Sequence, residues 1–431
     1  MISLGCAKNR VDSEQALGVL QSMGYAFVQK PEEAGILIVN TCGFIASAKQ
    51  ESIDAILEMA AYKQTGVCYL LVVTGCLAQR YEKELLNQIP EIDVLLGVSR
   101  YDRLAEAITQ ALAGKRVADC RLSLSFFEQP RVLTTPAYAC YHRISDGCDN
   151  RCAYCAIPLI RGSYRSRGRR DILNEIAEMA ARGVKEHTLV AQDTTRYGAD
   201  LGKPGALREL LAEAAAVPGV EWLRLLYCYP DETDDQLLDV MAGTPAVCKY
   251  LDLPIQHISA RLLRRMNRRG SPDTIRRLLS RARGMGFALR STVIVGFPGE
   301  TEDDFRLLMD FIRETAFDRL GAFAFSREEG TPAGRMRGQV PEAIKQERLD
   351  TLMSAQSAIS RDRNRLRIRQ TYRVLVTGAI SGGRYIGRSE FEAPESDGVI
   401  GFSSKIPLSP GDFCFVRITK AGNYDLEGVA V

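Results

Sequence analysis

Three short apolar runs in the first eighty residues each end on a cysteine: "ISLGC" at Cys6, "ILIVNTC" at Cys42 and "LLVVTGC" at Cys76. The cysteines stand 36 and 34 residues apart, about one βα unit each. The second and third runs are continuously apolar and β-branched, as strands covered on both faces of a parallel sheet are. Helical patterns follow near Ala46 and Gln79, "DVLLGV" adds a strand, and 101–113 adds a helix. This alternation predicts an open parallel α/β domain over 1–121. Each cysteine then ends a strand, and strand ends about 4.8 Å apart can gather three sulfurs around one cluster. Cysteine is also a common core residue, but the repeated position favours ligands. The first run has only 1–4 before its glycine, fewer than the usual five or six strand residues. That predicts either a translation start upstream of Met1 or an abbreviated first strand.

The length of 431 residues suggests two or three domains, and 46% hydrophobic with 25% charged residues is a globular composition. No run approaches the eighteen apolar residues of a membrane span, and no basic-then-apolar leader precedes "SLGC". No membrane partner and a cytoplasmic location are therefore expected. Twelve cysteines without such a leader argue for metal, cluster or redox chemistry rather than a disulfide framework. Fifty-six basic against 53 acidic residues do not by themselves announce a nucleic-acid binder.

Strand patterns resume with "YHRIS", "KEHTLVAQD", "EWLRLLYCY", "YLDLPIQ", "ALRSTVIVGF" and "RLGAFAFS", separated by helical segments. Six strand–helix units predict a partial (βα)6 barrel over 135–365, open rather than closed, with its site at the carboxyl ends of the strands. A polar helix is expected over 341–369. Beyond 370, short alternating strands predict a small β-barrel to residue 431. The tract "SRDRNRLRIRQ" carries five arginines at every second position, which a helix would spread around its axis, so it reads as a solvated linker.

The strongest motif is "RISDGCDNRCAYCAIP", with Cys148, Cys152 and Cys155 spaced C-x3-C-x2-C at the end of the first strand of the second domain. Three thiolates on one loop can hold three irons of a [4Fe–4S] cluster, and the fourth cysteine of ferredoxin-type runs is absent. The open iron can then bind a substrate or cofactor; a zinc knuckle is the competing reading. Cys68, Cys120, Cys140, Cys228, Cys248 and Cys414 lack such partners and are expected to pack in cores. His142, His187 and His257 form no ligand spacing.

With Tyr154 before its last cysteine, this motif resembles the signature of radical S-adenosylmethionine enzymes. The resemblance implies that the methionyl amine and carboxylate chelate the open iron, and that electron transfer cleaves the sulfonium to a 5′-deoxyadenosyl radical. It also places the cofactor at "VIVGFPGETEDDF". There Gly296 and Gly299 allow close backbone approach, and the following helix N-terminus would offer free N–H groups. Alone, that turn reads as an ordinary βα connection. Gln192 and Asp193 in "VAQDTTRYG", and Gln256 in "LPIQH", also end strands with polar groups and are expected to line the pocket.

The whole chain resembles the methylthiotransferases. "SLGCAKNRVDSE", "NTCGFIASAKQES", "AQDTTRYGADL" and "YLDLPIQHIS" are similar to the RimO branch. The sister MiaB branch, which acts on tRNA adenosine, typically has "LPVQSGS" at the last of these. The resemblance implies a TRAM-like C-terminal barrel and two [4Fe–4S] clusters, one on Cys6, Cys42 and Cys76 and one on Cys148, Cys152 and Cys155. It further implies methylthiolation at the β-carbon of an aspartate in the twelfth small-subunit ribosomal protein, free or on the ribosome. A reductant such as flavodoxin or ferredoxin, and a sulfur donor, would be needed. Residues 371–431 carry six basic and seven acidic residues, net −1, which suits a basic ribosomal protein better than RNA as partner. Nucleic acid is therefore not expected as the primary substrate.

Overall fold

The computed structural model describes every residue except 124 and 129. The chain gathers into two compact units. One comprises Met1–Pro136, Ser145–Arg167 and Ser326–Gly334; the other comprises Ala137–Ile144, Gly168–Phe325 and Arg335–Val431.

The first unit is built on strands Ile2–Ser3, Ile36–Thr41, Leu70–Gly75, Val94–Leu96 and Val117–Asp119, parallel and bonded in chain order. Leu37, Val39, Leu71 and Val73 pack with Ile56 and Met59 of helix Ala46–Thr65. Ile38, Leu70 and Val72 pack instead with Val19 and Leu20 of helix Ala7–Ser22 and Ile108 of helix Leu104–Leu112. Alternate side chains thus feed two cores, which is why the runs are continuously apolar.

Two local expectations shift. Gly75, at φ +98°, turns the chain straight from strand into helix, so the helix expected near Gln79 begins at Cys76. It breaks at Tyr81 and resumes as Glu82–Gln88. The fifth strand, Val117–Asp119, is too short for its alternation to stand out in the sequence.

In the second unit, Ala139–Arg143, Glu186–Val190 and Trp222–Leu225 form one parallel sheet, and Tyr250–Asp252, Ala288–Val295 and Arg319–Ala324 form another. A few bonds join them: Leu223 N donates to Ala246 O at 2.7 Å and Cys228 N to Asp252 O at 3.0 Å. The six strands therefore follow one another in chain order as an open (βα)6 arrangement. The last five strands of the unit, Thr371–Ile380, Arg384–Ser389, Ile400–Ser403, Phe413–Ala421 and Leu426–Ala430, close a small barrel, with one parallel pair between the third and fifth. No helix among the described residues is long and apolar enough to cross a membrane.

The arginine tract is not a solvated linker. The long helix is Glu342–Arg365, so Arg367 and Arg369 lie beyond its end and escape the helical spread. Arg363 donates to Asp318 Oδ1 at 3.0 Å, while Arg367 bonds Glu392 and, at 3.0 Å, Ser389 Oγ of the barrel. A second buried pairing joins barrel to sheet. Arg388 donates to both Glu186 oxygens, at 3.2 and 2.5 Å, and Arg224 Nε to Oε1 at 3.1 Å. Burying Arg388 and Glu392 removes one charge of each sign, so the exposed balance of the barrel stays at net −1.

Burial alone would raise the Glu186 carboxyl, but Arg388 and Arg224 hold it at about 2. Burial likewise acts against Arg367 and Arg319 at Glu392, also held at about 2. Folded pKa values below the ordinary 4.5 mean that this stabilisation is present above about pH 4.5 and lost as pH falls towards 2. Glu186→Gln should cost on the order of 3–5 kcal/mol at neutral pH and flatten that acid slope. The single tryptophan, Trp222, meets the barrel's Phe413 edge-on at 4.9 Å, so its fluorescence in urea titrations across this pH range reads the loss.

Candidate functional site

All six cysteines of the two predicted sets lie in the first unit, and so does Tyr154. Cys6 follows Gly5 and precedes helix Ala7–Ser22, Cys42 follows strand Ile36–Thr41, and Cys76 follows strand Leu70–Gly75. Because these strands are adjacent and parallel, the three residues meet at one sheet edge. Gly5, at φ +91°, lies so close to Cys42 that a Cβ there would stand 3.1 Å from its Cβ and 3.3 Å from its Sγ. Any larger residue would crowd the sulfurs apart.

The thiols feel one another. Burial pushes Cys76 up to about 12, Arg161 opposes, and charges on Cys6 and Cys42 raise it further. Burial also raises Cys42. At Cys6 the residue keeps exposed surface while its sulfur is closely surrounded. Burial there raises the thiol, but Lys8, Arg161 and the N–H groups of Asn9 and Lys8 outweigh it, so it lies below the usual range. Cys6 is thus the thiol readiest to deprotonate as a ligand.

The second set sits on the loop between Asp146 and helix Ile157–Arg161. Cys148 N donates to Gly162 O at 3.1 Å and Cys155 N to Cys152 O at 3.0 Å, which curls the loop on itself. A concavity of about 330 Å³ is lined by all three thiols with Pro158, Leu159 and Gly330. None of the twelve cysteines is joined in a disulfide. Three thiols facing one concavity, with no fourth cysteine among its lining residues, fit a cluster that keeps one iron open.

Arg161 connects the two sets, and the sequence reading missed it. Its guanidinium donates to Asp12 Oδ2 at 2.7 Å, Asn9 Oδ1 at 2.9 Å and Asp146 Oδ1 at 3.1 Å, and lies 3.9 Å from Cys76 Sγ. It is 1% exposed. Asn9 in turn donates to Leu4 O and Thr41 O, tying the Cys6 turn to the end of the Cys42 strand. Cys76 itself packs with Ala156 and Ile160, directly after Cys155. A signal existed in "CAKNRVDSE": Asn9, Asp12 and Ser13 share one helix face yet are buried, where a buried stripe is ordinarily apolar.

The remaining predicted residues lie in the second unit, at the carboxyl edge of its strands. Gln192 follows strand Glu186–Val190, Gln256 bridges to Val293, and Gly296 follows Ala288–Val295. Both polar atoms of the Gln192 amide are buried with no hydrogen-bond partner among the described residues. An unmet buried amide costs about 1–3 kcal/mol, so this group is poised for a ligand. Asp193 accepts from the Thr195 hydroxyl at 2.5 Å and so orders its own turn. Gly296 and Gly299 have φ of +70° and +83°, as a close-approach turn requires.

The free N–H groups expected at the following helix are partly spent. Thr301 and Asp304 form a capping box, Asp304 N donating to Thr301 Oγ1 at 3.3 Å and Thr301 N to Asp304 Oδ2 at 3.0 Å. With Glu302, Asp303 and Asp304 in its first turn, this terminus disfavours an anion.

Comparison with known proteins gives three matches along the chain. The model described as uncharacterized protein family UPF0004 matches residues 1–97, that of the radical SAM superfamily 143–312, and that of the TRAM domain 368–431. A Desulforamulus reducens protein named ribosomal protein uS12 methylthiotransferase RimO is 49% identical over 99% of this chain and 98% of its own. One of the same name from Heliobacterium modesticaldum is 47% identical over 100% of this chain and 94% of its own. Among solved structures, the radical S-adenosylmethionine methyltransferase TsrM from Kitasatospora setae superposes with a TM-score of 0.55 at 18% identity. That match covers 70% of this chain and 64% of the other, a likeness of fold alone. With near-half identity kept from end to end, the chain belongs to the RimO family of radical SAM methylthiotransferases.

Proposed function

We propose that this enzyme places a methylthio group on the β-carbon of an aspartate in ribosomal protein uS12, using S-adenosylmethionine and two [4Fe–4S] clusters. The observation that carries the two-site reading is two separate cysteine triads, one at three adjacent strand ends and one on a single curled loop; the substrate rests on the relatives' names. Cys148, Cys152 and Cys155 would hold the cluster that binds S-adenosylmethionine, and Cys6, Cys42 and Cys76 the auxiliary one. When bound, these cofactors supply the one-electron chemistry that an unactivated C–H bond demands and that no side-chain base can provide.

The chain's own residues hold and orient. Arg161 sets positive charge beside Cys76 and fixes the spacing of the two loops through Asp12 and Asp146. Cluster loading requires thiolates, so burial of Cys76 makes loading depend on proton release. Tyr154, Gln192, Asp193, Gln256, Gly296 and Gly299 would line the S-adenosylmethionine site, Gln192 through its unmet amide. Segments 1–121, 135–365 and 370–431 would carry the auxiliary cluster, the radical chemistry and substrate docking respectively. A slightly acidic barrel suits a basic ribosomal protein. A cytoplasmic reductant such as flavodoxin or ferredoxin, and a sulfur donor, complete the reaction.

The test is incubation of reconstituted enzyme with S-adenosylmethionine, sulfide and reductant, against a uS12 peptide and against tRNA. A gain of about 46 Da, the methylthio group replacing hydrogen, is expected on the peptide. The same gain on adenosine with none on the peptide would sink the proposal.

A further inference from the structure

Cys140, His142 and His187 looked unrelated in the sequence, yet the structure brings them together. Cys140 and His142 share one face of strand Ala139–Arg143, and His187 stands opposite Cys140 on strand Glu186–Val190. Cys140 Sγ lies 3.1 Å from His142 Nε2 and 3.8 Å from His187 Nδ1, and the two nitrogens are 2.9 Å apart. All three side chains are buried and belong to the second unit, whereas the six cluster cysteines belong to the first.

The outward nitrogens decide what the inward ones can do. His187 Nε2 lies 3.2 Å from Val184 O, a carbonyl that can only accept, so that nitrogen carries its hydrogen. His142 Nδ1 lies 2.8 Å from Glu175 Oε1 of helix Arg169–Ala181, where an ionised carboxylate likewise accepts. Two neutral rings so arranged aim lone pairs at each other and at the Cys140 sulfur. A cation held between them makes that arrangement favourable. A histidine donating outward to a carboxylate or carbonyl while offering its other nitrogen inward is the usual support of a metal ligand.

We propose that Cys140 Sγ, His142 Nε2 and His187 Nδ1 bind one zinc ion, which staples the first two strands of the (βα)6 sheet to helix Arg169–Ala181. One thiolate and two imidazoles are a borderline-soft donor set suited to zinc. Zinc–sulfur and zinc–nitrogen bonds of about 2.3 and 2.05 Å at tetrahedral angles separate sulfur from nitrogen by about 3.6 Å and the nitrogens by about 3.4 Å. The observed distances bracket the first value, and binding spreads the nitrogens by about 0.5 Å. Binding displaces the thiol proton of Cys140, which leaves to solvent.

The test counts zinc in the full chain after anaerobic cluster reconstitution and an EDTA wash. About one zinc per chain is expected beside about eight irons, with X-ray absorption showing one sulfur and two imidazoles. Zinc lodged on cluster thiols is separated by replacing Cys6, Cys42, Cys76, Cys148, Cys152 and Cys155 together with alanine. That variant should keep about one zinc, and adding His187→Leu should lower it below about 0.2. Zinc that disappears with the six cysteines, survives His187→Leu, or shows no sulfur neighbour would overturn the site. Should the sixfold variant not fold, cobalt(II) added to the cluster-loaded wild type decides. A new thiolate charge-transfer band, missing in Cys140→Ala, supports the site, and absence of any such band refutes it.

Discussion

Replacing Cys148, Cys152 and Cys155 with alanine together should abolish cleavage of S-adenosylmethionine to 5′-deoxyadenosine while about four irons per chain remain. The converse variant, without Cys6, Cys42 and Cys76, should still cleave S-adenosylmethionine but transfer no methylthio group. The two triads stand apart in the fold: one is a single curled loop, the other three strand ends. Iron analysis and product chromatography on both variants check this, and loss of all iron from the first would mean that the sets do not load separately.

Arg161→Met is expected to damage both sites at once without touching a ligand. The substitution leaves Asp12 and Asp146 as buried carboxylates without their shared cation, and Asn9 Oδ1 with only the weak Cys76 thiol as donor. Removing one partner from a buried charge network costs on the order of 3–5 kcal/mol. Because Asp12 sits on the Cys6 helix and Asp146 just before Cys148, iron should fall at both triads. Adding Asp12→Asn to Arg161→Met should recover part of the stability, since it removes one stranded charge. Urea unfolding and iron content are the measurements. A variant with wild-type stability and full iron would show the network to be incidental.

Much of this was legible along the chain. Runs such as "LLVVTGC" and the spacing of Cys148, Cys152 and Cys155 are local, and local sequence carries strand burial and loop chemistry directly. The Asp304 cap was written beside Thr301, although the turn suggested open N–H groups. Less legible were elements whose logic is distant. Nothing in "RLRIRQ" shows that the helix stops at Arg365 and hands Arg367 to Glu392, 25 residues on. Arg161 is 149 residues from Asp12, and its partners lie on a helix whose polar face resembles a solvent face until its burial is known.

The cysteine of "MISLGCAKN" shows where the division falls. By itself the sequence determined that Cys6, Cys42 and Cys76 each stand at the end of an apolar run, because strand period and burial are properties of a few consecutive residues. It also determined the C-x3-C-x2-C loop, whose three thiols need no distant partner to come together. Only the tertiary structure decided that Arg161 reaches Cys76, Asn9 and Asp12, and that Cys140 meets His142 of its own strand and His187 of the next. Strand order and register bring such side chains together, and the forces that choose them are summed over whole sheets rather than held in any one segment.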